Sequence, residues 1–175
     1  MRVISGVLGG RVFEAPPGHK THPMSEKMRG ALFNMLGDIT GLKVLDAYSG
    51  SGAIAIEAIS RGAGSVTAVE SDIKAINTIK TNVATLGINF MITHANISSW
   101  INNNLNLKFD IIVADPPYGE VKIQQLEKFN RILDTNGILV LSLPPQFQKL
   151  EIKKCTLITS KNYGDSTLVF FKRLI

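Results

Sequence analysis

Lys43-Val44-Leu45-Asp46-Ala47-Tyr48-Ser49-Gly50-Ser51-Gly52-Ala53-Ile54-Ala55-Ile56 joins an apolar pentad to an apolar helical start through a glycine loop. Residues 43–47 have the length and content of a buried strand, and residues 53–61 read as a helix. Glycines at 50 and 52 let the backbone approach a ligand with no Cβ in the way. The first turn of the helix offers unpaired N–H groups to an anion. Glu70 stands 20 residues beyond Gly50, at the end of a second apolar run. A carboxylate there can accept hydrogen bonds from both hydroxyls of a ribose.

The loop alone leaves two ligands open. Gly50-Ser51-Gly52-Ala53-Ile54-Ala55 also fits the dinucleotide pattern G-x-G-x-x-A, with an acid at a suitable distance. Asp46 favours the other ligand. A carboxylate four residues before Gly50 opposes a pyrophosphate and suits the amino group of a methionine part. The loop from Asp46 through Tyr48, Ser49, Gly50 and Gly52, with Glu70, is therefore read as the site of a nucleoside methyl donor. A glycine turn serving tight packing alone is the plainer alternative.

Working outward, apolar strands alternate with helical segments. Strands are expected at 43–47, 66–70, 89–93, 109–114 and 137–143, and helices at 53–61, 73–86, 97–104 and 121–133. Such alternation implies a parallel sheet with helices on both faces. The end of the chain differs. Strands at 152–158 and 167–171 are joined through Asn162-Tyr163-Gly164-Asp165 with no helix between them, an antiparallel hairpin on the sheet edge. At the other end, residues 2–14 read as a hairpin turning at Gly9-Gly10. Pro16-Pro17-Gly18 opens an irregular connection. Ser25 is the expected N-cap of a helix ending near Leu36, with Met28, Leu32 and Met35 on one face, Leu36 beside them and Gly37 closing it. This is a class I methyltransferase-like, Rossmann-like α/β architecture. Its mostly parallel sheet is closed by an antiparallel C-terminal hairpin and extended by an N-terminal β-hairpin and helix. One domain is expected, with residues 1–37 as the extension and 38–175 as the core.

Asp115-Pro116-Pro117-Tyr118 follows the strand at 109–114. Ligands of open α/β sheets bind beyond the carboxyl ends of the strands. An exocyclic amino group on a base is a poor nucleophile, because its lone pair is delocalised into the ring. The Asp115 carboxylate and the Pro116 carbonyl are two acceptors that can draw the nitrogen toward a pyramidal form. Proline before proline is confined to extended geometry, which aims that carbonyl. Tyr118 can stack on the base. Asn96, after the third core strand, can accept from an adenine amino group or cap the next helix. No His/Cys cluster has metal-ligand spacing.

Composition narrows the partner. The chain has 175 residues, is 45% hydrophobic and carries a net charge of +5. Residues 1–29 hold Arg2, Arg11, Lys20, Lys27 and Arg29 against Glu14 and Glu26, a net +3. A basic cluster on an irregular segment points to an anionic partner. Cys155 is the single cysteine, so no intrachain disulfide forms and a reducing compartment is expected. The start lacks the apolar stretch of a signal peptide. No apolar run approaches the roughly 20 residues of a membrane helix.

Val44 through Gly52, Glu70 and Asp115-Pro116-Pro117-Tyr118 resemble the amino-group methyltransferases. His22-Pro23-Met24, Arg29-Gly30-Ala31-Leu32-Phe33-Asn34 and Ser60-Arg61-Gly62-Ala63 narrow the resemblance. The chain is similar end to end to the RsmD-like 16S ribosomal RNA guanine-N2 methyltransferases. That resemblance implies transfer of a methyl group from S-adenosylmethionine to N2 of a guanine in small-subunit rRNA, naked or in a 30S particle. It implies Asp115, Pro116 and Tyr118 at the acceptor. Asp46, Tyr48, Ser49, Gly50, Gly52, Glu70 and Asn96 would hold the donor, and Arg11, Lys20, His22, Lys27 and Arg29 the RNA. A cytoplasmic monomer without a metal is expected. His22, Met24 and Gly30 stand where the family commonly has Arg, Thr and Glu, and Asn96 where it has Asp. The competing readings are an amino-methyltransferase of DNA adenine or protein glutamine, a dinucleotide oxidoreductase and a non-catalytic RNA-binding module.

Overall fold

A computed structural model of the chain describes residues 1–17, 24–147 and 149–174. Its first elements are α1 (Glu26–Leu36), β1 (Lys43–Ala47), α2 (Ala53–Ser60), β2 (Ser65–Glu70), α3 (Ile73–Leu86) and β3 (Met91–His94). α4 (Ile97–Asn103), β4 (Phe109–Ala114), α5 (Ile123–Glu127), β5 (Leu133–Leu143), β6 (Cys155–Tyr163) and β7 (Ser166–Arg173) follow. Seven strands form one sheet in the order β3-β2-β1-β4-β5-β7-β6. β3, β2, β1, β4 and β5 run parallel, and β7 joins β5 antiparallel with β6 outside it. The mostly parallel sheet closed by a terminal hairpin is the architecture expected from the alternation.

Strand periodicity divides the core into two faces. Val44, Ile111, Val113 and Val140 pack on one side with Met28, Leu32 and Phe33 of α1. Leu45, Ile112, Leu139 and Leu141 pack on the other with Trp100, Ile101 and Phe129. Phe109 belongs to the second face, although Ile111, two residues on, belongs to the first. The register shift between them in the β4–β5 ladder accounts for the flip. β1 is covered on both flanks, which is why its burial is nearly continuous rather than alternating.

Local chemistry sets the ends of α1. The Ser25 side chain accepts from Met28 N at 3.1 Å, and Gly37 ends the helix at φ 75. Three segments depart from expectation. Residues 121–133 break into the short α5 and a 3-10 turn, Lys128–Arg131, because Leu133 leaves the helical path to pair with Phe109. β6 forms three residues later than read, since it pairs with β7 up to Tyr163↔Ser166. In the amino-terminal segment a single bridge, Arg2↔Val12, closes a wider loop than a Gly9-Gly10 turn. Among the described residues no helix is long and apolar enough to cross a membrane.

The amino-terminal segment is anchored by buried polar groups of α2. Glu57 is 1% exposed. It accepts from Ile4 N at 2.8 Å, Ser5 N at 3.1 Å and Arg61 Nε at 2.8 Å. Leu8 N donates to Ser60 Oγ at 3.0 Å, and that hydroxyl donates to Ser5 O. Arg29 is fully buried, with its Nη2 on Arg2 O at 2.5 Å and its Nε 3.8 Å from Glu57. The expected phosphate contact at Arg29 is thus not available: its guanidinium is spent inside the fold. Removing Glu57 leaves a buried guanidinium without its counter-charge. Glu57→Ala should cost about 3–5 kcal/mol, read as a lower denaturant midpoint in chemical unfolding.

Candidate active site

Parallel pairing brings three strand ends together. Ala47 of β1 lies beside Val69 of β2 on one side and Ala114 of β4 on the other. Tyr48, Glu70 and Asp115, the next residue on each strand path, therefore gather at one edge, with Asp46 just inside it.

Asp46 is 2% exposed. Its Oδ2 accepts from Ser49 Oγ at 2.7 Å and from Ala55 N at 3.0 Å. The first bond folds the glycine loop back on β1, and the second ties it to the first turn of α2. Burial pushes Asp46 up from 3.8 to about 7; its hydrogen bonds pull it down, and the charges of Glu70 and Asp115 push it further up. Glu70 closes the loop from the other side. Its Oε2 accepts from Gly50 N at 2.7 Å, and its Oε1 from Ser71 N at 2.7 Å and Asp72 N at 2.8 Å. Three backbone donors thus already occupy much of the carboxylate read as a ribose acceptor.

The loop backbone is left-handed at Tyr48, φ 62, as well as at Gly50, φ 55. That conformation is costly for tyrosine and is held where the surroundings over-determine it. A Cβ added at Gly50 meets nothing within 4 Å, so the glycine leaves open space beside the loop. Tyr48, Val69, Ser71, Asn96 and Pro117 line a cleft there. Asn96 caps α4: its Oδ1 accepts from Ser98 N at 3.0 Å and Ser99 N at 3.3 Å. The adenine-amino acceptor expected at Asn96 is therefore already used, and its amide nitrogen is the group left to present. A larger cleft, about 340 Å³, opens beside Arg2, Ile4, Gly10 and Glu26. It lies apart from the carboxylates.

Asp115 is held by a residue that motif reading passed over. Burial raises its pKa from 3.8 to about 6, and a hydrogen bond from the Ser142 side chain opposes the rise. Ser142 is 1% exposed, near the end of β5. A lone hydroxyl in the apolar run Gly137-Ile138-Leu139-Val140-Leu141-Ser142-Leu143 is the signal that could have found it. Tyr118 stands in a 3-10 turn, and its hydroxyl bonds Ser166 Oγ at the start of β7. The C-terminal hairpin thereby fixes the edge of a ring that is 38% exposed. Asn82 was also missed. Buried on α3, it accepts from Glu14 N at 2.8 Å and donates to Glu14 O at 2.9 Å and Ser51 O at 3.3 Å. It couples the amino-terminal segment to the glycine loop.

Of the expected RNA contacts, Arg11 and Lys27 are exposed, Arg29 is buried, and Lys20 and His22 lie outside the described residues. Ion pairs among the described residues join Arg2–Glu26, Arg29–Glu57, Arg61–Glu57 and Lys153–Glu127, and none reaches Asp46, Glu70 or Asp115. Nor does any group of three His, Cys, Asp or Glu among those residues sit closely enough to hold a metal ion.

The family model described as Conserved hypothetical protein 95 matches residues 1–172. The chain is similar to YlbH of Bacillus subtilis, 32% identical over 185 residues covering 99% of each. It is 31% identical over 141 residues to the Ribosomal RNA small subunit methyltransferase D of Escherichia coli K12, covering 79% of this chain and 69% of that one. Its fold matches the solved structure of Escherichia coli yhhF with a TM-score of 0.87 and 24% identity, over 99% and 98% of the two chains.

The raised Asp46 pKa has a sign that stability measurements can read. Its folded value of about 7 exceeds the ordinary 3.8, so its favourable contribution is complete below 3.8 and is lost as pH rises toward 7. Asp46→Asn removes this titration while keeping an oxygen for Ser49 and Ala55. Between pH 5 and 8 the wild-type melting temperature should fall relative to the variant, by roughly 2–4 °C for each kcal/mol of lost stability. Parallel profiles would show that Asp46 titrates normally.

Proposed function

The chain belongs to the RsmD-like family of ribosomal RNA methyltransferases, and on that footing we propose that it moves a methyl group from S-adenosylmethionine to N2 of a guanine in small-subunit ribosomal RNA. The observation that carries this reading is the meeting of the glycine loop, Glu70 and Asp115 at adjacent strand ends, with no cation among the described residues paired to their charge. A ligand that brings both a sulfonium and an ammonium group offsets that charge; a pyrophosphate adds to it.

Asp46, Tyr48, Ser49, Gly50, Gly52, Glu70 and Asn96 would hold the donor. Asp46 shapes the loop, Gly50 keeps its approach open, and Glu70 retains lone-pair capacity on Oε2 for a ribose hydroxyl. Asn96, with its oxygen committed to α4, can donate from its amide to a ring nitrogen of adenine. The donor, when bound, supplies a methyl group already activated by positive sulfur.

At the acceptor, Asp115 takes a hydrogen bond from the amino group, and the Pro116 carbonyl offers the second. Together they concentrate the nitrogen lone pair away from the ring. When the N–C bond forms, the nitrogen must shed a proton, and a carboxylate titrating at about 6 can take it near neutral pH. Ser142 holds that carboxylate in place. Tyr118, tethered to Ser166, offers a ring face for stacking. The amino-terminal extension, residues 1–37, brings Arg11 and Lys27 to the RNA on a segment stapled to the catalytic core through Glu57, Ser60 and Asn82.

Two outcomes test this. Asp115→Asn should lower methyl transfer about 10²–10⁴-fold while donor affinity by calorimetry stays within a few-fold of wild type. The wild-type rate should fall tenfold per pH unit below about 6, as Asp115 becomes protonated. A variant that still transfers at full rate would remove Asp115 from the chemistry. Incubation with labelled donor and undermethylated small subunits, followed by nucleoside mass spectrometry, should yield N2-methylguanosine. A methylated adenine, or label in protein only, would refute the assigned acceptor.

A further inference from the structure

RNA binding calls for phosphate contacts, yet the amino-terminal cations are partly engaged within the protein. Arg29 is buried on Glu57, Arg2 lies 3.1 Å from Glu26, and Arg11 Nη2 is 3.5 Å from Thr85 O. The end of the sheet opposite Asp115 gathers a second set of exposed cations. Lys108 precedes β4, and its Nζ donates to Arg131 O at 2.6 Å. Asn130, beside Arg131, donates to Lys153 O at 2.5 Å. Leu174 N donates to Lys154 O at 2.9 Å, and the β6–β7 register sets Thr156 beside Lys172. Distant stretches of chain thus bring Lys108, Arg131, Lys153, Lys154 and Lys172 to one end, all of them exposed.

Acids do not cancel this excess. Glu127 lies 4.0 Å from Lys153, and Asp134 and Glu151 are exposed beside it in sequence and fold. At this end Lys43, Lys108, Arg131, Lys153, Lys154 and Lys172 face Asp110, Glu127, Asp134 and Glu151, six cations against four acids. Lys154 is also held at φ 60, a left-handed conformation that lysine rarely adopts and that is found where structure imposes it. Lys108 lies seven residues before Asp115 along the path of β4, roughly 23 Å at about 3.3 Å per residue, and Lys172 pairs with Ile138, four residues before Ser142 on β5. That separation reaches beyond the flipped base itself and suits another part of a large folded RNA.

We propose that this basic end is a second RNA-backbone surface, which grips a part of the substrate remote from the methylated base. The inference rests on the RNA reading above and goes beyond it in location. Phosphate contacts release counterions, so each should steepen the salt dependence of binding by about 0.7–0.9 in log–log slope. The test is a fourfold variant, Lys108→Gln, Lys153→Gln, Lys154→Asn and Lys172→Gln, with an unchanged melting temperature as the control for folding. Binding to full-length small-subunit rRNA and to a short fragment carrying the target guanine is measured across a salt series, without methyl transfer. For the long RNA, affinity should fall at least tenfold and the slope should shrink by about 3; the short fragment should bind as it does to the wild type. An unchanged slope on the long RNA would overturn the proposal, and so would an equal loss on both RNAs. A loss seen with protein-bearing subunits but absent with naked rRNA would assign the surface to a protein partner and overturn it too. Failure of the wild type to methylate either RNA would instead count against the proposed function, since the binding slopes are read independently.

Discussion

Asp46 places a carboxylate on the central strand of a sheet covered on both faces, where water cannot stabilise its charge. Ser49 Oγ and Ala55 N take over part of that work, and doing so bends residues 46–55 into the glycine loop. Even with both bonds its pKa stays near 7. Parallel pairing then adds Glu70 and Asp115 on the flanking strands, raising the local negative potential. Burial makes the charged forms of Asp46 and Asp115 stabilise the fold less than neutral residues would. Their concentration at one edge makes physical sense as preorganisation for a positively charged ligand, with the desolvation cost met by the rest of the core.

The amino-terminal segment and the donor loop share supports. Glu57 and Ser60 hold residues 4–8 from one end of α2, whose other end begins at Gly52. Asn82 bonds both Glu14 and Ser51. A cluster of Val3, Phe13, Ala53, Ile56 and Leu86 fills the space between. An RNA held by the extension would therefore be referenced to the same helix that begins at the donor loop. This gives the extension a positioning role that its charge alone does not require.

Much of this was legible in residues 43–56 and 109–118. Strand, loop and helix lengths there follow local rules, and the ends of β1, α3 and β4 fall where periodicity places them. What escaped is non-local. The helix read over residues 121–133 lost to the pairing of Leu133 with Phe109, which no propensity records. Arg29 looks like a surface cation on an amphipathic helix; only its partner Glu57, 28 residues away in sequence, accounts for its burial. Ser142 left a faint trace as a lone polar residue in an apolar stretch, and Asn82, among the other polar residues of α3, left none. The basic end of the sheet shows in sequence only as a lysine-rich C-terminal segment; Lys108 and Arg131 are added to it by the fold alone.

If the carboxylates at the strand ends await a cation, binding one must change their protonation. The decisive measurement is calorimetry of S-adenosylmethionine binding near pH 6.5, between the Asp115 and Asp46 values of about 6 and about 7, in two buffers of different ionisation enthalpy. A positive charge beside these groups lowers their pKa, so binding should release a substantial fraction of a proton. S-adenosylhomocysteine, whose sulfur is neutral, should release less. Binding with no proton release in either buffer, or the same release for both ligands, would contradict a site organised around the charge of the donor.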